Sequence, residues 1–264
     1  MNIFLRELKA NKIALIIWCA CMFLLIASGM GKYTAYSAGG QSSEIFNKIP
    51  HSLKVLLGFG SFDVTKMRGY FALLFLYIEI TAAIHAVMLG SHIIAKEERD
   101  KTTEFLMTKP VSRTTIITSK LLASFTNVLI LNIVSLISSI IMVAAYNKGP
   151  DISGEIAMYM LSMLIVQLIF LSLGTALAAL IRNPKSSGSV SVGILLASFV
   201  IAKITDLTDK LNALNFLSPF KYFDYAYLAD GNAPGFGMVF FSLLLVAAFL
   251  VSTYYFYRKR DLNV

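Results

Sequence analysis

The sequence has few charged residues and few cysteines, and each shortage narrows what the chain can be. Only 14% of its 264 residues are charged and 57% are hydrophobic, whereas about 25% of the residues in a soluble domain are charged. Cys19 and Cys21 are the only cysteines. Two residues apart on a helix they point about 200° apart, so a disulfide between them is implausible. With no CxxC pair and no His-rich cluster, a structural zinc site has no support.

The sequence also lacks a GxxxxGK[ST] motif, so it has no P-loop that would hold the phosphates of ATP. Any use of ATP must therefore come from a partner protein. The net charge of +8 does not indicate nucleic-acid binding, because the basic residues lie at the ends of apolar runs rather than in a basic domain. We assign no catalytic residue and no metal ligand, and we expect no enzyme activity in this chain.

Long apolar runs are what the sequence does contain, and they predict an all-α membrane protein with six transmembrane helices. A run of about 20 apolar residues is long enough to cross a hydrocarbon core of about 30 Å. The chain is expected to form a single transmembrane domain, residues 1–264, with crossings at about 13–31, 69–95, 120–146, 156–181, 188–204 and 235–257. Small residues around Gly174 in the fourth crossing favour close contact with another helix.

Two long connections, residues 32–68 and about 205–234, are patterned for a membrane surface. Their apolar and aromatic residues recur at helical spacing, but no run is long enough to cross, which predicts outer interfacial helices. Lys203, at the outer end of the fifth crossing, is expected to extend its ammonium group to the lipid headgroups. Both long connections lie on the same predicted side of the membrane. The segments on the opposite side, which include both termini, are shorter and contain 14 of the 23 lysine and arginine residues. This density favours a cytoplasmic location for both termini.

The segment 96–119, between the second and third crossings, concentrates charge. A mixed-charge start is followed by the apolar patch Phe105–Met107 and then by Pro110, which disfavours helix at the residue before it. Ser112 can cap the helix that follows. The pattern predicts a short amphipathic contact helix from Glu97 to Met107, a break, and a new helix that leads into the third crossing.

At this segment the sequence resembles the membrane-spanning permease subunits of ABC transporters of the ABC-2 type. The residues that carry the resemblance are Glu97-Glu98, Thr102-Thr103-Glu104-Phe105-Leu106, Pro110-Val111-Ser112-Arg113 and Lys120. Weaker similarity is found at Leu217–Phe223 and in the basic cluster that begins at Arg258. Where this family commonly has glycine, the chain has Lys101. We expect this departure to be mild, because lysine supports a helix better than glycine does.

The resemblance implies a cytoplasmic coupling helix that docks on a separate ABC ATPase subunit. It assigns ATPase coupling to Glu97, Glu98, Thr102, Glu104, Phe105, Leu106, Pro110 and Arg113. ATP and Mg would be bound by that partner and not by this chain. A second permease, either another copy or a homologous chain, would complete an exporter in the plasma membrane of a prokaryotic cell.

Four polar residues inside the predicted crossings are candidates for a substrate path or for polar contacts between helices: Glu79, Asn127, Asn132 and Gln167. Glu79 lies near the middle of the second crossing, where an ionisable group is a functional hypothesis by default. Either it bonds one of the other three, or it lines a path or a dimer contact. The alternative to an ATP-linked permease is an ion-coupled carrier using Glu79, or a membrane scaffold. A carrier should show repeats and several intramembrane charges, but only Glu79 is central.

Overall fold

The computed structural model describes residues 3–37, 50, 53–54, 57–59, 63–101, 111–181, 183–225, 228 and 234–259. Within them the chain forms helices and no strands, and six helices are long and apolar enough to cross a membrane. The predicted fold class, an all-α membrane protein with six transmembrane helices, is confirmed.

The helices follow one another along the chain, and the spanning ones are joined by connections of very different length. In order they are α1 (Ile3–Gly31), α2 (Tyr33–Ser37), α3 (Met67–Arg99), α4 (Arg113–Tyr146), α5 (Ser153–Leu180), α6 (Pro184–Leu207), the 3₁₀ helices Asp209–Leu217 and Pro219–Lys221, and α7 (Phe236–Lys259). In the first long connection, the apolar residues that predict an interfacial helix run from Ile45 to Leu57, and most of this stretch lies outside the described residues.

The spanning helices are longer than the apolar runs that predict them. Helix α1 begins at Ile3, α3 continues to Arg99, and α4 begins at Arg113. An apolar run marks only the part of a helix inside the hydrocarbon, whereas the backbone hydrogen bonds continue into polar turns. The start of α4 is fixed by Ser112, whose hydroxyl accepts a hydrogen bond from the Thr115 amide at 3.1 Å. The capping role expected of Ser112 is therefore confirmed.

Helices α3 and α5 form the centre of the bundle, and they approach each other through glycine. A Cβ atom on Gly174 would lie 2.5 Å from the carbonyl oxygen of Val87, and one on Gly90 would collide with the carbonyl oxygen of Leu171. The expectation of a close helix contact at Gly174 is confirmed, and α3 is its partner. Nearer the start of α3, Phe75 packs on Tyr159 of α5 with 4.5 Å between the ring centroids.

The helix ends nearest the chain termini meet on one side of the bundle, which we call the terminal side. An apolar cluster joins Ile93 of α3, Ile117 of α4, Ala178 of α5 and Tyr257 of α7, with Phe4 of α1 packed against it. We call the opposite side, where the two long connections lie, the loop side. The connection between α3 and α4 therefore leaves and re-enters the bundle on the terminal side.

Candidate functional site

Four charged residues form a buried cluster on the terminal side, which we call the terminal-side cluster: Glu7, Lys96, Glu97 and Lys120. The Lys120 ammonium group is 0% exposed and donates hydrogen bonds to Glu97 Oε2 and to the Ile93 carbonyl oxygen, both at 2.5 Å. Lys96 forms an ion pair with Glu7 of α1. Two cations thus face two carboxylates, and the cluster joins α1, α3 and α4 without a net charge.

The position of this cluster follows from where the two helices end and begin. Glu97 lies in the last turn of α3, and Lys120 lies in the second turn of α4. Both turns lie close to the points at which the chain leaves and re-enters the bundle. Because Lys120 is fully buried, its charge depends on Glu97 and on the Ile93 carbonyl for its stabilisation. The connection between α3 and α4 is thus attached to two helices that are joined to each other by a buried ion pair.

Helix α3 ends through a backbone conformation that favours glycine. Lys101 has φ 55°, and it is the one non-glycine residue with positive φ among those described. Its amide donates to the Glu98 carbonyl oxygen at 3.3 Å, and the Asp100 amide donates to the Lys96 carbonyl oxygen at 2.8 Å. A left-handed residue directly after a helix is most often glycine. The expectation that lysine suits this position as a helix former is therefore wrong, because Lys101 terminates the helix.

The predicted contact helix from Glu97 to Met107 is accordingly interrupted near its start. Glu97 and Glu98 belong to the end of α3, and the backbone leaves the helix at Asp100 and Lys101. Glu97 is 6% exposed and is engaged by Lys120, so its carboxylate faces the bundle interior. A docking contact through this carboxylate would require the buried ion pair to open.

The other predicted coupling residues are distributed on both sides of that break. Glu98 is half-buried on the last turn of α3. Arg113 begins α4, and its guanidinium group donates to the Arg258 carbonyl oxygen of α7 at 3.2 Å. Five of the predicted residues lie outside the described residues: Thr102, Glu104, Phe105, Leu106 and Pro110.

Two of the predicted intramembrane polar residues contact each other across helices. The Asn132 amide group donates to Gln167 Oε1 at 3.1 Å and to the Met160 carbonyl oxygen at 3.0 Å, which joins α4 to α5. Asn127 instead donates within its own helix, to the Ala123 carbonyl oxygen at 2.7 Å. Inside hydrocarbon such a side-chain contact satisfies polar groups that would otherwise lack partners.

Glu79 lies elsewhere. It is 1% exposed, and within the described part of the chain its Oε1 atom has no hydrogen-bond partner. None of the hydrogen bonds described connects it to Asn127, Asn132 or Gln167. The charges that act on it most are Lys203 of α6 and Asp224. Glu79 is therefore not part of the Asn132–Gln167 contact.

A second group of polar residues lies on the loop side, and it was not predicted as a group. It consists of Lys203, Asp206, Lys221, Asp224 and Tyr225. Lys203 donates to Asp206 at 3.0 Å and to the Tyr225 hydroxyl at 3.3 Å. Lys221 pairs with Asp206 at 2.5 Å and with Asp224 at 3.1 Å. Lys203 is 5% exposed, so the expectation that its ammonium group reaches the headgroups is wrong.

This loop-side group alters the acid–base behaviour of its members outside the membrane. Burial lowers the pKa of Lys221, but the Asp224 and Asp206 carboxylates outweigh burial, and the pKa is raised. Burial raises the pKa of the Tyr225 hydroxyl, and the same carboxylates add to the effect. Both groups therefore retain their protons at neutral pH. The signal in the sequence was the pairing of opposite charges three residues apart, at Lys203–Asp206 and Lys221–Asp224.

Comparison with known protein families identifies the chain. The profile of the ABC-2 family transporter protein matches residues 1–262, nearly the whole sequence. A comparison with curated proteins gives no match. Together with six membrane-spanning helices, the match makes this chain a multi-pass membrane protein. The chain belongs to the ABC-2 transporter family and is a permease component of an ABC transporter.

Proposed function

We propose that this chain is the permease subunit of an ATP-driven exporter, coupled to a separate ATPase that docks on the connection between α3 and α4. The ATPase would bind ATP and Mg, and this chain would hold no cofactor. A second copy of the chain, or a homologous permease, would complete the transport unit. Both termini, and with them the terminal side, would face the cytoplasm of a prokaryotic cell.

The observation that carries this proposal is the Glu97–Lys120 ion pair. Residues 102–110, which include the apolar patch of the predicted docking surface, connect two helices that are joined by this buried pair. A force applied to the connection would reach α3 and α4 together, because separating the two helices would leave buried charges without partners. The terminal-side cluster also includes Glu7, so α1 would follow.

Association with an ATPase can be tested by co-purification from native membranes. We expect an ABC ATPase to purify with the wild-type chain, and Phe105→Ala combined with Glu98→Ala to reduce the amount recovered at least tenfold. Phe236→Ala is the matched control, since Phe236 is 85% exposed at the loop-side end of α7. If no ATPase is recovered with the wild-type chain, or if the double variant assembles and transports normally, the proposal is wrong.

Direction can be tested separately with membrane vesicles of known orientation. An exporter should move its substrate out of the cytoplasm, so ATP supplied to inside-out vesicles should drive accumulation. Accumulation driven by an ion gradient without ATP would instead support the ion-coupled carrier.

The environment of Glu79 favours the ion-coupled carrier, because a buried carboxylate oxygen without a described partner is suited to binding a proton or a cation. Glu79→Gln keeps the shape of the side chain and removes its charge. An ATP-driven exporter that does not use Glu79 should transport at the wild-type rate in this variant, whereas a carrier that binds its coupling ion there should lose transport without losing its fold.

A further inference from the structure

A cleft of about 720 Å³ lies between α3 and α6 on the terminal side. It is distinct from the connection proposed to bind the ATPase and from the terminal-side cluster, whose four residues do not line it. Its volume falls within the range of about 300–1,000 Å³ that is usual for small-molecule sites. The cleft is not enclosed, so a molecule could enter it from outside the bundle.

The two ends of the cleft differ in chemistry. At the terminal-side end it is lined by Arg99 and Lys185, and deeper in the membrane by Met88, Val192 and Leu196. A Cβ atom built on Gly193 would meet no atom within 4 Å, which leaves the apolar part of the cleft open. The cleft therefore joins a cationic end to an apolar end.

The cationic groups retain hydrogen-bonding capacity. The Arg99 side chain uses Nε for Asp100 and Nη1 for His92, both at 3.1 Å. A guanidinium group has five N–H donors, so some remain for a ligand. Asp100 pairs with Nε and offsets part of the Arg99 charge, but it leaves the second cation of the cleft, Lys185, unaffected. Lys185 is exposed, and its ammonium group makes no hydrogen bond with the described residues. The attraction comes from these side chains and not from the start of α6, which Asn183 already caps.

The length of the cleft corresponds to one leaflet. From Met88 to Arg99 is 11 residues along α3, or about 17 Å at 1.5 Å per residue. Half of a hydrocarbon core of about 30 Å is about 15 Å. A molecule with an anionic group at the membrane surface and an apolar chain one leaflet long would contact both ends of the cleft.

From this combination we propose that the cleft between α3 and α6 binds an anionic phospholipid, with the phosphate group at Arg99 and Lys185 and an acyl chain along Met88, Gly193 and Leu196. Basic pockets between transmembrane helices are a known means of binding anionic lipid headgroups. The lipid would come from the leaflet on the terminal side. The proposal does not depend on the direction of transport or on the ATPase.

The test is a lipid titration of the purified full-length chain in detergent, followed by native mass spectrometry. The probes are phosphatidylglycerol and phosphatidylcholine with identical acyl chains. The first phosphatidylglycerol should bind at least tenfold more tightly than the first phosphatidylcholine. Arg99→Gln and Lys185→Gln should each weaken phosphatidylglycerol binding about fivefold, as expected for one basic residue near a membrane surface. Gly193→Leu should weaken it at least fivefold by filling the apolar end.

Controls separate this site from general attraction to the basic surface. Lys9→Gln combined with Lys12→Gln removes two exposed cations on the same side, outside the cleft, and should change binding less than twofold. Glycerol phosphate, which has no acyl chain, should not displace the lipid at millimolar concentration. If Arg99→Gln disturbs folding, Lys185→Gln still tests the charge, since that side chain is exposed.

Four results would overturn the proposal. Three concern the lipid: equal binding of the two lipids, equal loss in the cleft variants and in the Lys9/Lys12 control, and displacement of the lipid by glycerol phosphate. Loss of a dimer instead of a lipid in Gly193→Leu would also overturn it, because the cleft would then be a protein interface.

Discussion

Removing one charge of the Glu97–Lys120 pair should destabilise the chain more than any surface substitution. Lys120→Met keeps the length of the side chain and deletes its charge, leaving Glu97, whose side chain is 7% exposed, without its described partner. Breaking a buried ion pair on one side costs about 3–5 kcal/mol, and the lost bond to the Ile93 carbonyl adds about 1 kcal/mol. We therefore expect a loss of about 4–6 kcal/mol in the free energy of unfolding.

The double variant distinguishes a specific pair from general damage to the core. Glu97→Met combined with Lys120→Met removes both charges, and replacing a buried pair by apolar residues is often close to neutral. The double variant should therefore recover most of the stability lost in Lys120→Met. The cycle should give an interaction energy of about 3 kcal/mol, at the upper end for residues in contact.

The measurement is equilibrium unfolding in mixed detergent micelles, followed by tryptophan fluorescence. Trp18 is the only tryptophan, and its ring packs edge-on against His85 with 5.3 Å between the centroids. Its emission therefore reports separation of α1 from α3. Lys12→Met, at an exposed site on α1, is the matched control and should be neutral within about 0.5 kcal/mol. A loss below about 1 kcal/mol for Lys120→Met, or simple additivity in the double variant, would refute the reasoning.

Three further predictions concern single positions. Gly174→Ala should destabilise the bundle by about 1–3 kcal/mol through overpacking against α3. Gly193→Ala should not, because Gly193 has open space around it. Thermal melts in detergent compare the two variants, and equal melting temperatures would contradict the close helix contact. Lys101→Gly should raise the free energy of unfolding by about 1 kcal/mol in the same melts, because glycine adopts positive φ without strain, and a decrease would contradict this. The pKa of Lys221 is raised above its unfolded-state value of 10.5. The resulting stabilisation is present below pH 10.5 and should be lost as pH rises through the higher folded-state pKa. Melts from about pH 9 to 12 should fall less steeply for Lys221→Met, and parallel curves would count against the ion pairs.

The six crossings could be predicted from the sequence because hydrocarbon thickness alone sets the length of an apolar run. The small-residue face at Gly174 and the cap at Ser112 could also be predicted, since each depends on residues that are close together in the chain. Gly90 was not identified as the partner of Gly174, because the register between two helices depends on the packing of the whole contact surface.

The charged residues were harder to place for the same reason. Lys203 was interpreted by itself, as a lysine at a membrane edge, although the structure buries it against Asp206. Whether such a lysine extends to the headgroups or turns inward depends on which helix lies beside it. The prediction for Lys101 failed for a different reason. Helix propensity describes the interior of a helix, whereas Lys101 lies at the end of α3.

Helix α3 connects the features described here in a way that limits how it can move. A Cβ atom on Gly90 would collide with the carbonyl oxygen of Leu171, so α3 has no space to shift toward α5 at this point. Arg99 lies nine residues beyond Gly90, about 14 Å along the axis, and Glu79 lies 11 residues before it, about 17 Å. Arg99 and Glu79 therefore lie on one continuous helix that is packed against α5 between them.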